Sequence, residues 1–260
     1  MRSTSNPAFR NLPVGGGGYA GFDSAPAGYG RALPTTRPMT VDDVVTKTSI
    51  TLAVLIAAGA ATYLIRPLWA LTLPAALVGF VLAMVIIFKR AISPPLVLAY
   101  AAIEGVFLGG ISGAIGTYVA DRWGSNSIVI EAVTGTVLVF AGMLVVYKTG
   151  AVRVTPRFTK WLTGALIGVV GLMIVNLIAA LFTHGVGLGL RSGGTLAIVF
   201  SLVCIGIAAF SFLIDFDAAD QAIRAGAPEK TAWYIAFGLT VTLVWLYLEI
   251  LRLLSYFQND

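Results

Sequence analysis

The sequence predicts an all-α membrane protein in which seven transmembrane helices form a bundle. Hydrophobic residues make up 58% of the 260 residues and charged residues only 11%, whereas soluble domains carry about 25% charged residues. The mean hydropathy is +0.89. Seven apolar runs each fall within the range of about 17 to 25 residues that a helix needs to cross the hydrocarbon core.

The seven runs follow one another along most of the chain. They cover residues 48–65, 68–88, 96–119, 128–147, 161–182, 195–214 and 232–254. The third run contains five glycines, namely Gly105, Gly109, Gly110, Gly113 and Gly116. Small residues at roughly fourfold spacing allow helices to approach closely in lipid, so we expect the third helix to pack tightly against a neighbour.

Residues 1–39 differ from the rest of the chain in composition. They contain seven glycines and five prolines and few residues that could form a core, which is typical of a disordered tail. We therefore expect a Gly/Pro-rich cytoplasmic tail followed by a transmembrane domain of residues 40–260. Thr40 and Asp43 have the spacing of a capping box, which predicts that the first helix begins at Val41.

The basic residues predict the orientation in the membrane. Thirteen of the 17 lysines and arginines lie in the tail or in the second, fourth and sixth connections between the runs. By the positive-inside rule these segments are cytoplasmic, so we expect a multi-pass protein with a cytoplasmic N-terminus. Seven crossings leave the C-terminus outside, whereas a re-entrant last segment would return it to the cytoplasm.

Several classes of function are disfavoured by composition. The net charge of +5 comes from residues between the apolar runs, so orientation explains it and nucleic-acid binding is not expected. Cys204 and His184 are the single cysteine and histidine, so neither a disulfide nor a zinc cluster is expected. The runs contain no Ser/His pairing, HExxH or phosphate loop, so we expect neither an enzyme nor a cofactor.

Glu104 is the most informative single residue in the first half of the chain. It lies eight residues into the third run, about 12 Å along a helix, and thus near the middle of the membrane. Because intramembrane acids usually have a function, we interpret Glu104 as a proton- or cation-binding group. The alternative is a carboxyl group neutralised by burial or hydrogen-bonded to its neighbours.

Other polar groups have simpler interpretations. A lone amide such as Asn176 usually forms an interhelical hydrogen bond, and Glu131 lies close enough to the interface to be solvated. The 121–123 segment Asp-Arg-Trp is typical of an interfacial anchor with a local charge pair. His184, after the fifth run, is expected to be solvated, although it could modulate activity near neutral pH.

The last fifty residues contain a second group of acids. Asp215, Asp217 and Asp220 follow the sixth run closely, and we interpret Asp215 and Asp217 as functional candidates and Asp220 as part of a solvated helix end. Arg224 and Lys230 are their basic neighbours. These aspartates are close enough to repel one another when ionised.

Glu249 is the acid of the seventh run, inside the sequence LVWLYLEILRLL. Arg252 follows three residues later on the same helical face, so an ion pair between the two is a structural alternative to an ion-pathway role.

Three segments resemble a known family. They are AYAAIEGVFLGGISG at 99–113, SFLIDFDAADQAI at 211–223 and LYLEILRLLSYF at 246–257. Their order and placement resemble those of the transmembrane Bax inhibitor motif proteins, also called the Bax inhibitor-1 family, in a bacterial form. The resemblance covers the membrane domain and implies a seven-helix bundle with a central last helix in the bacterial inner membrane.

The resemblance also implies a calcium leak whose opening depends on pH through two acids that share a proton. Alignment places the first acid on Asp217, with Asp215 as an additional acid, and the second on Glu249, where the family usually has aspartate. Glu104, Asp217 and Glu249 are then the expected calcium-contacting groups. Regular antiparallel helices would leave Glu249 some 16 Å deeper than Asp217, so Glu104 is expected as its nearer partner.

Two functions follow from these expectations. The first is a pH-sensitive calcium or cation leak, in which deprotonation or cation binding displaces the last helix; protons are the other candidate ion. The alternative is a membrane regulator that acts through another membrane protein such as a membrane-bound protease, a role that the resemblance also suggests. Cation flux that does not respond to neutralising the acids would favour the regulator.

Overall fold

The computed structural model describes residues 37–90, 92–124, 127–183 and 187–258. Within these residues the chain forms seven long α-helices. They are α1 (Val41–Leu64), α2 (Thr72–Lys89), α3 (Pro94–Trp123), α4 (Ile128–Thr149), α5 (Pro156–Phe182), α6 (Thr195–Arg224) and α7 (Thr231–Phe257). All seven are long and apolar enough to cross a membrane when the second is counted from Arg66. The predicted all-α bundle of seven transmembrane helices is confirmed.

Helix α1 begins as its sequence predicts. The Asp43 carboxylate accepts a 2.9 Å hydrogen bond from the Thr40 backbone N–H, while the Thr40 hydroxyl accepts from the Asp43 N–H. The capping box is therefore present, and it satisfies two of the N–H groups that a helix start leaves free.

The connection between α1 and α2 is longer than the apolar runs indicate. Residues Arg66–Leu71 form a 3-10 helix, and α2 begins only at Thr72. The Trp69 indole N–H donates a 3.0 Å hydrogen bond to the Thr62 carbonyl, and the Thr72 hydroxyl donates to the Trp69 carbonyl. These bonds hold the 3-10 segment against the end of α1.

Helices α1 and α3 pack closely through glycines. A methyl group on Gly105 would lie 2.3 Å from the Leu55 carbonyl oxygen, and one on Gly109 would lie 2.2 Å from the Gly59 carbonyl oxygen. Both positions therefore require glycine for the backbones to approach. Gly110 and Gly113 face Thr72 and Trp69 in the same way, and the expected close packing of the third helix is confirmed.

Helix α7 lies at the centre of the bundle. It is the most buried of the seven spans, and within the described residues it contacts α1, α3, α4 and α6. Leu246 and Leu251 on α7 are fully buried in two separate apolar clusters. The central last helix that the family resemblance implies is therefore present.

The packed domain begins before the predicted boundary at Thr40. Residues up to 36 of the predicted tail lie outside the described part of the chain. The next three residues do not continue a tail, because the Met39 side chain is only 2% exposed in an apolar cluster. The Met39 N–H donates a 2.8 Å hydrogen bond to the Ala227 carbonyl, and the Glu229 N–H donates to the Arg37 carbonyl.

Candidate functional site

Asp215 is an acid at the interface of α6 and α7. Helix α6 continues ten residues beyond the predicted end, to Arg224, so Asp215 lies inside the helix. The Thr242 hydroxyl of α7 donates a 2.7 Å hydrogen bond to its carboxylate. A methyl group on Gly238 would lie 4.0 Å from the other carboxylate oxygen. The acid is therefore packed against one turn of α7.

Glu104 is held between α2 and α3. The Tyr100 hydroxyl, one turn earlier on α3, is the polar side-chain group that interacts with its carboxylate. A methyl group on Gly79 of α2 would lie only 3.2 Å from the Glu104 Oε1 atom, so the missing side chain at Gly79 makes room for the carboxyl group. The Tyr100 ring packs edge-on against Phe237 of α7, with centroids 4.9 Å apart. Glu104 is thus connected to α7 through Tyr100.

Glu249 is the most buried acid of the described residues, with 2% of its surface exposed. Its Oε1 atom accepts a 2.8 Å hydrogen bond from Arg252 and a 3.4 Å hydrogen bond from Arg191, in the connection between α5 and α6. The i, i+3 ion pair with Arg252, which the sequence offered as a structural alternative, is present. Within the described residues, the Oε2 atom of Glu249 is buried and has no hydrogen-bond partner.

Arg191 is the second cation at Glu249. Burial, and next the neighbouring charge of Arg252, lower the pKa of the Arg191 guanidinium from its ordinary value, while Glu249 acts in the opposite direction. The two arginines therefore compete for one carboxylate oxygen, and neither is balanced by a carboxylate of its own within the described residues.

The three acids lie at two levels along α7. The partner of Asp215 is Thr242, seven residues before Glu249, which corresponds to about 10 Å along a helix. Tyr100 contacts Phe237 and Asp215 lies near Gly238, the next residue of α7. Tyr100 and Asp215 therefore meet α7 at similar levels on faces about 100° apart. The arrangement places neutral hydroxyl partners at one level and arginines at the other.

Asp217, the residue that the alignment puts first, has a different environment. It accepts a 2.5 Å hydrogen bond from Gln221 on its own helix and lines a surface cavity of about 400 Å³ with Asp220 and Arg224. Arg224 pairs with Asp220 at 2.7 Å, as expected for a solvated helix end. Of the two candidate acids Asp215 and Asp217, only Asp215 faces α7, because positions 215 and 217 are about 200° apart around a helix.

The expected calcium-contacting set is not assembled in this conformation. Within the described residues, Glu104, Asp217 and Glu249 do not form a group of three that could hold a metal ion. The contacts of Glu249 go to Arg252 and Arg191, and neither Asp217 nor Glu104 is among them. The separation of Asp217 from Glu249 agrees with the antiparallel geometry, whereas a pairing of Glu104 with Glu249 is not observed.

The remaining polar residues have structural contacts where they are described. Asn176 accepts a 2.9 Å hydrogen bond from the Leu188 N–H, so its partner is the following connection and not another helix. Glu131 is exposed and accepts a hydrogen bond from Ser127. The Arg122 guanidinium lies over the Tyr118 ring, 4.9 Å from its centroid. His184 lies outside the described residues.

Sequence reasoning did not identify three contributors to the site. Arg191 lies between two apolar runs, 58 positions from Glu249 along the chain. Thr242 and Tyr100 are hydroxyl-bearing residues inside apolar runs. A hydroxyl-bearing residue inside such a run is a weak signal that a polar partner lies nearby, since interhelical hydrogen bonds in lipid often use these side chains.

The fold and these acids define a class: a polytopic helical membrane protein whose transmembrane helices carry partly or fully buried carboxyl groups. A family model described as Bax inhibitor 1 like matches residues 6–259, nearly the whole chain. The protein belongs to the Bax inhibitor 1 like family, as the three segments suggested. A comparison with curated proteins gives no match.

Proposed function

We propose that this family member is a cation leak pathway of the bacterial inner membrane, with calcium as the permeating ion and a cytoplasmic N-terminus. One observation carries the proposal: α7 connects two of the three acids, because it donates to Asp215 through Thr242 and bears Glu249. A displacement of α7 would therefore change the partners of both acids together.

The cost of these groups supports a functional role. An ionisable side chain within the hydrocarbon core costs several kcal/mol unless it is paired, and such residues usually mark ion or proton pathways. Asp215 and Glu104 are held only by hydroxyl groups in the described structure. The free Oε2 atom of Glu249 is a position where a proton, a water molecule or a cation would complete the hydrogen bonding.

In the proposed mechanism the described conformation is closed. The hydroxyl partners hold Asp215 and Glu104, and Arg252 and Arg191 hold Glu249. Loss of protons from Asp215 and Glu104 at higher pH leaves carboxylates at both levels of α7, where mutual repulsion or a bound cation displaces the helix. Calcium favours several oxygen ligands, and the three separated acids provide successive contacts of low affinity. Flux is therefore expected to increase with pH.

The test is calcium flux into proteoliposomes across a pH series that spans neutrality. Glu104→Gln, Asp215→Asn and Glu249→Gln are each expected to change flux severalfold and to weaken its dependence on pH. Glu131→Gln, at an exposed acid, is the matched control and should behave as wild type. Asp217→Asn is expected to have a smaller effect than Asp215→Asn, because Asp217 does not face α7.

Two results would contradict the leak. One is absence of flux at every pH in protein shown to be folded, and the other is wild-type flux in all three interior variants. Either result favours the second candidate, a regulator that binds another membrane protein. A charged surface cavity supports that candidate, because it could bind a partner without any change in the interior acids. Its charged lining residues are Arg153, Asp217, Asp220 and Arg224.

A further inference from the structure

A second cavity lies within the membrane-spanning part of the bundle. It has a volume of about 350 Å³, within the range of about 300 to 1,000 Å³ that is usual for ligand pockets. Its walls come from α1 and α4, and its floor comes from α3 and α7. Within the described residues α1 and α4 do not contact each other, so the space between them opens sideways towards lipid.

The cavity has the depth of one leaflet. Along α1 it extends from Leu52 to Tyr63, eleven residues and about 16 Å. Along α4 it extends from Val129, in the first turn, to Val137. Half of a hydrocarbon core of about 30 Å is about 15 Å. The cavity therefore runs from near the end of α1 and the start of α4 to the middle of the membrane.

The lining is suited to a hydrocarbon chain. Its accessible surface is almost entirely apolar. The two polar side chains of the floor, Ser112 and Tyr247, lie 2.7 Å apart and satisfy each other, and Thr136 of the wall donates to the Ala132 carbonyl. These three hydroxyl groups thus require neither water nor an ion, and the remaining tyrosine, Tyr63, lies near the end of α1 where the cavity reaches the interface. Apolar cavities of this kind stay dry and accept apolar ligands.

The depth favours a lipid chain over a partner helix. The cavity reaches only from one interface to the middle of the membrane, whereas a partner helix would need a groove along the whole hydrocarbon core of about 30 Å. We propose that this cavity binds a single acyl chain of a membrane lipid, which enters between α1 and α4 from the leaflet where α1 ends. The bound acyl chain lies against Tyr247, two residues before Glu249 on α7. Binding of lipid in this cavity does not depend on whether the protein conducts ions.

The experiment is photo-crosslinking in proteoliposomes made with a phospholipid that bears a diazirine on one acyl chain, followed by peptide mapping. Crosslinks are expected to concentrate on 52–63 of α1 and 129–137 of α4. Ala60→Phe and Val133→Phe fill the cavity from opposite walls and should each reduce those crosslinks severalfold. Crosslinks on α5, which does not line the cavity, should be unchanged and report the surrounding lipid.

Matched controls use the same substitutions on the same helices. Ala57→Phe and Val145→Phe alter exposed residues that do not line the cavity, so they should leave the cavity crosslinks at the wild-type level. The proposal is overturned if the cavity variants and their controls give equal crosslinking, or if the cavity walls crosslink no more than α5. Because the two filling variants lie on different helices, misfolding of one still leaves the other to decide.

Discussion

Three acids inside the transmembrane helices, Glu104, Asp215 and Glu249, have partners of different kinds. Asp215 and Glu104 are held by neutral hydroxyl groups, from Thr242 and Tyr100. A hydroxyl both donates and accepts, so it can serve a carboxylate or a protonated carboxyl group. Glu249 is held by arginines, which only donate and therefore bind the carboxylate. Protonation consequently has different structural effects at the two levels of α7.

The hydrogen bond from Thr242 to Asp215 can be tested by Thr242→Val, which keeps the shape and removes the donor. We expect a loss of stability on the order of 1 kcal/mol, because a buried acceptor loses its partner in lipid. The measurement is reversible unfolding in detergent. Thr240→Val is the control, since the Thr240 hydroxyl donates only to the Ala236 carbonyl of its own helix. Equal losses in the two variants would contradict a specific role for the bond.

At the scale of elements, α3 is fixed by its glycines. Gly105 and Gly109 face the α1 backbone, while Gly110 and Gly113 face the side chains of Thr72 and Trp69. Close approach without a Cβ atom increases van der Waals contact, which drives helix association in lipid where the hydrophobic effect is absent. The pair α1 and α3 therefore forms a firm support beside the central helix.

Gly109→Ala should destabilise this support. The added methyl group would lie 2.2 Å from the Gly59 carbonyl oxygen, which the backbone cannot avoid without separating the helices. We expect a loss of about 1 to 3 kcal/mol, as for other overpacked sites, measured as thermal unfolding in detergent. Gly142→Ala, where a methyl group would meet nothing within 4 Å, should be neutral or stabilising because alanine favours helix. A neutral Gly109→Ala would refute the packing argument.

At the scale of the whole molecule, the residues just before α1 and its first turns are joined to the turn between α6 and α7. Lys47 donates to the Glu229 carboxylate at 2.9 Å and to its carbonyl oxygen at 3.1 Å. Arg37 pairs with both Asp43 and Glu229. Met39 fills the apolar cluster beneath these charges. The start of α7, which follows the turn after α6, is thus attached to α1.

Met39→Ala should weaken this attachment. Truncating a buried methionine typically costs about 2 to 5 kcal/mol, and the lower part of that range is expected because the site lies at the edge of the domain. Val41→Ala, at a side chain 60% exposed, should change little. The comparison is made by unfolding in detergent, and equal stability of the two variants would show that Met39 does not anchor the segment.

The number and type of helices could be predicted from the sequence, because apolar runs of membrane-spanning length have no other stable form in lipid. The capping box at Thr40 was also predictable, since it depends on residues three positions apart. The sequence did not predict that Asp215 rather than Asp217 faces α7. Helix α6 is apolar on all sides over much of its length, so its sequence gives no signal for which face meets α7.

By itself, then, the sequence determined seven helices of membrane-spanning length, the close packing of the third helix through its glycines, and the i, i+3 spacing that allows Glu249 to pair with Arg252. Only the tertiary structure decided that Arg191 reaches Glu249, that Thr242 holds Asp215 and that residues 37–39 are packed. The physical reason is the distance along the chain over which each interaction acts. Hydropathy, capping and i, i+3 pairing act within one helix, whereas helix rotation and the path of a connection are set by packing between helices far apart in the chain.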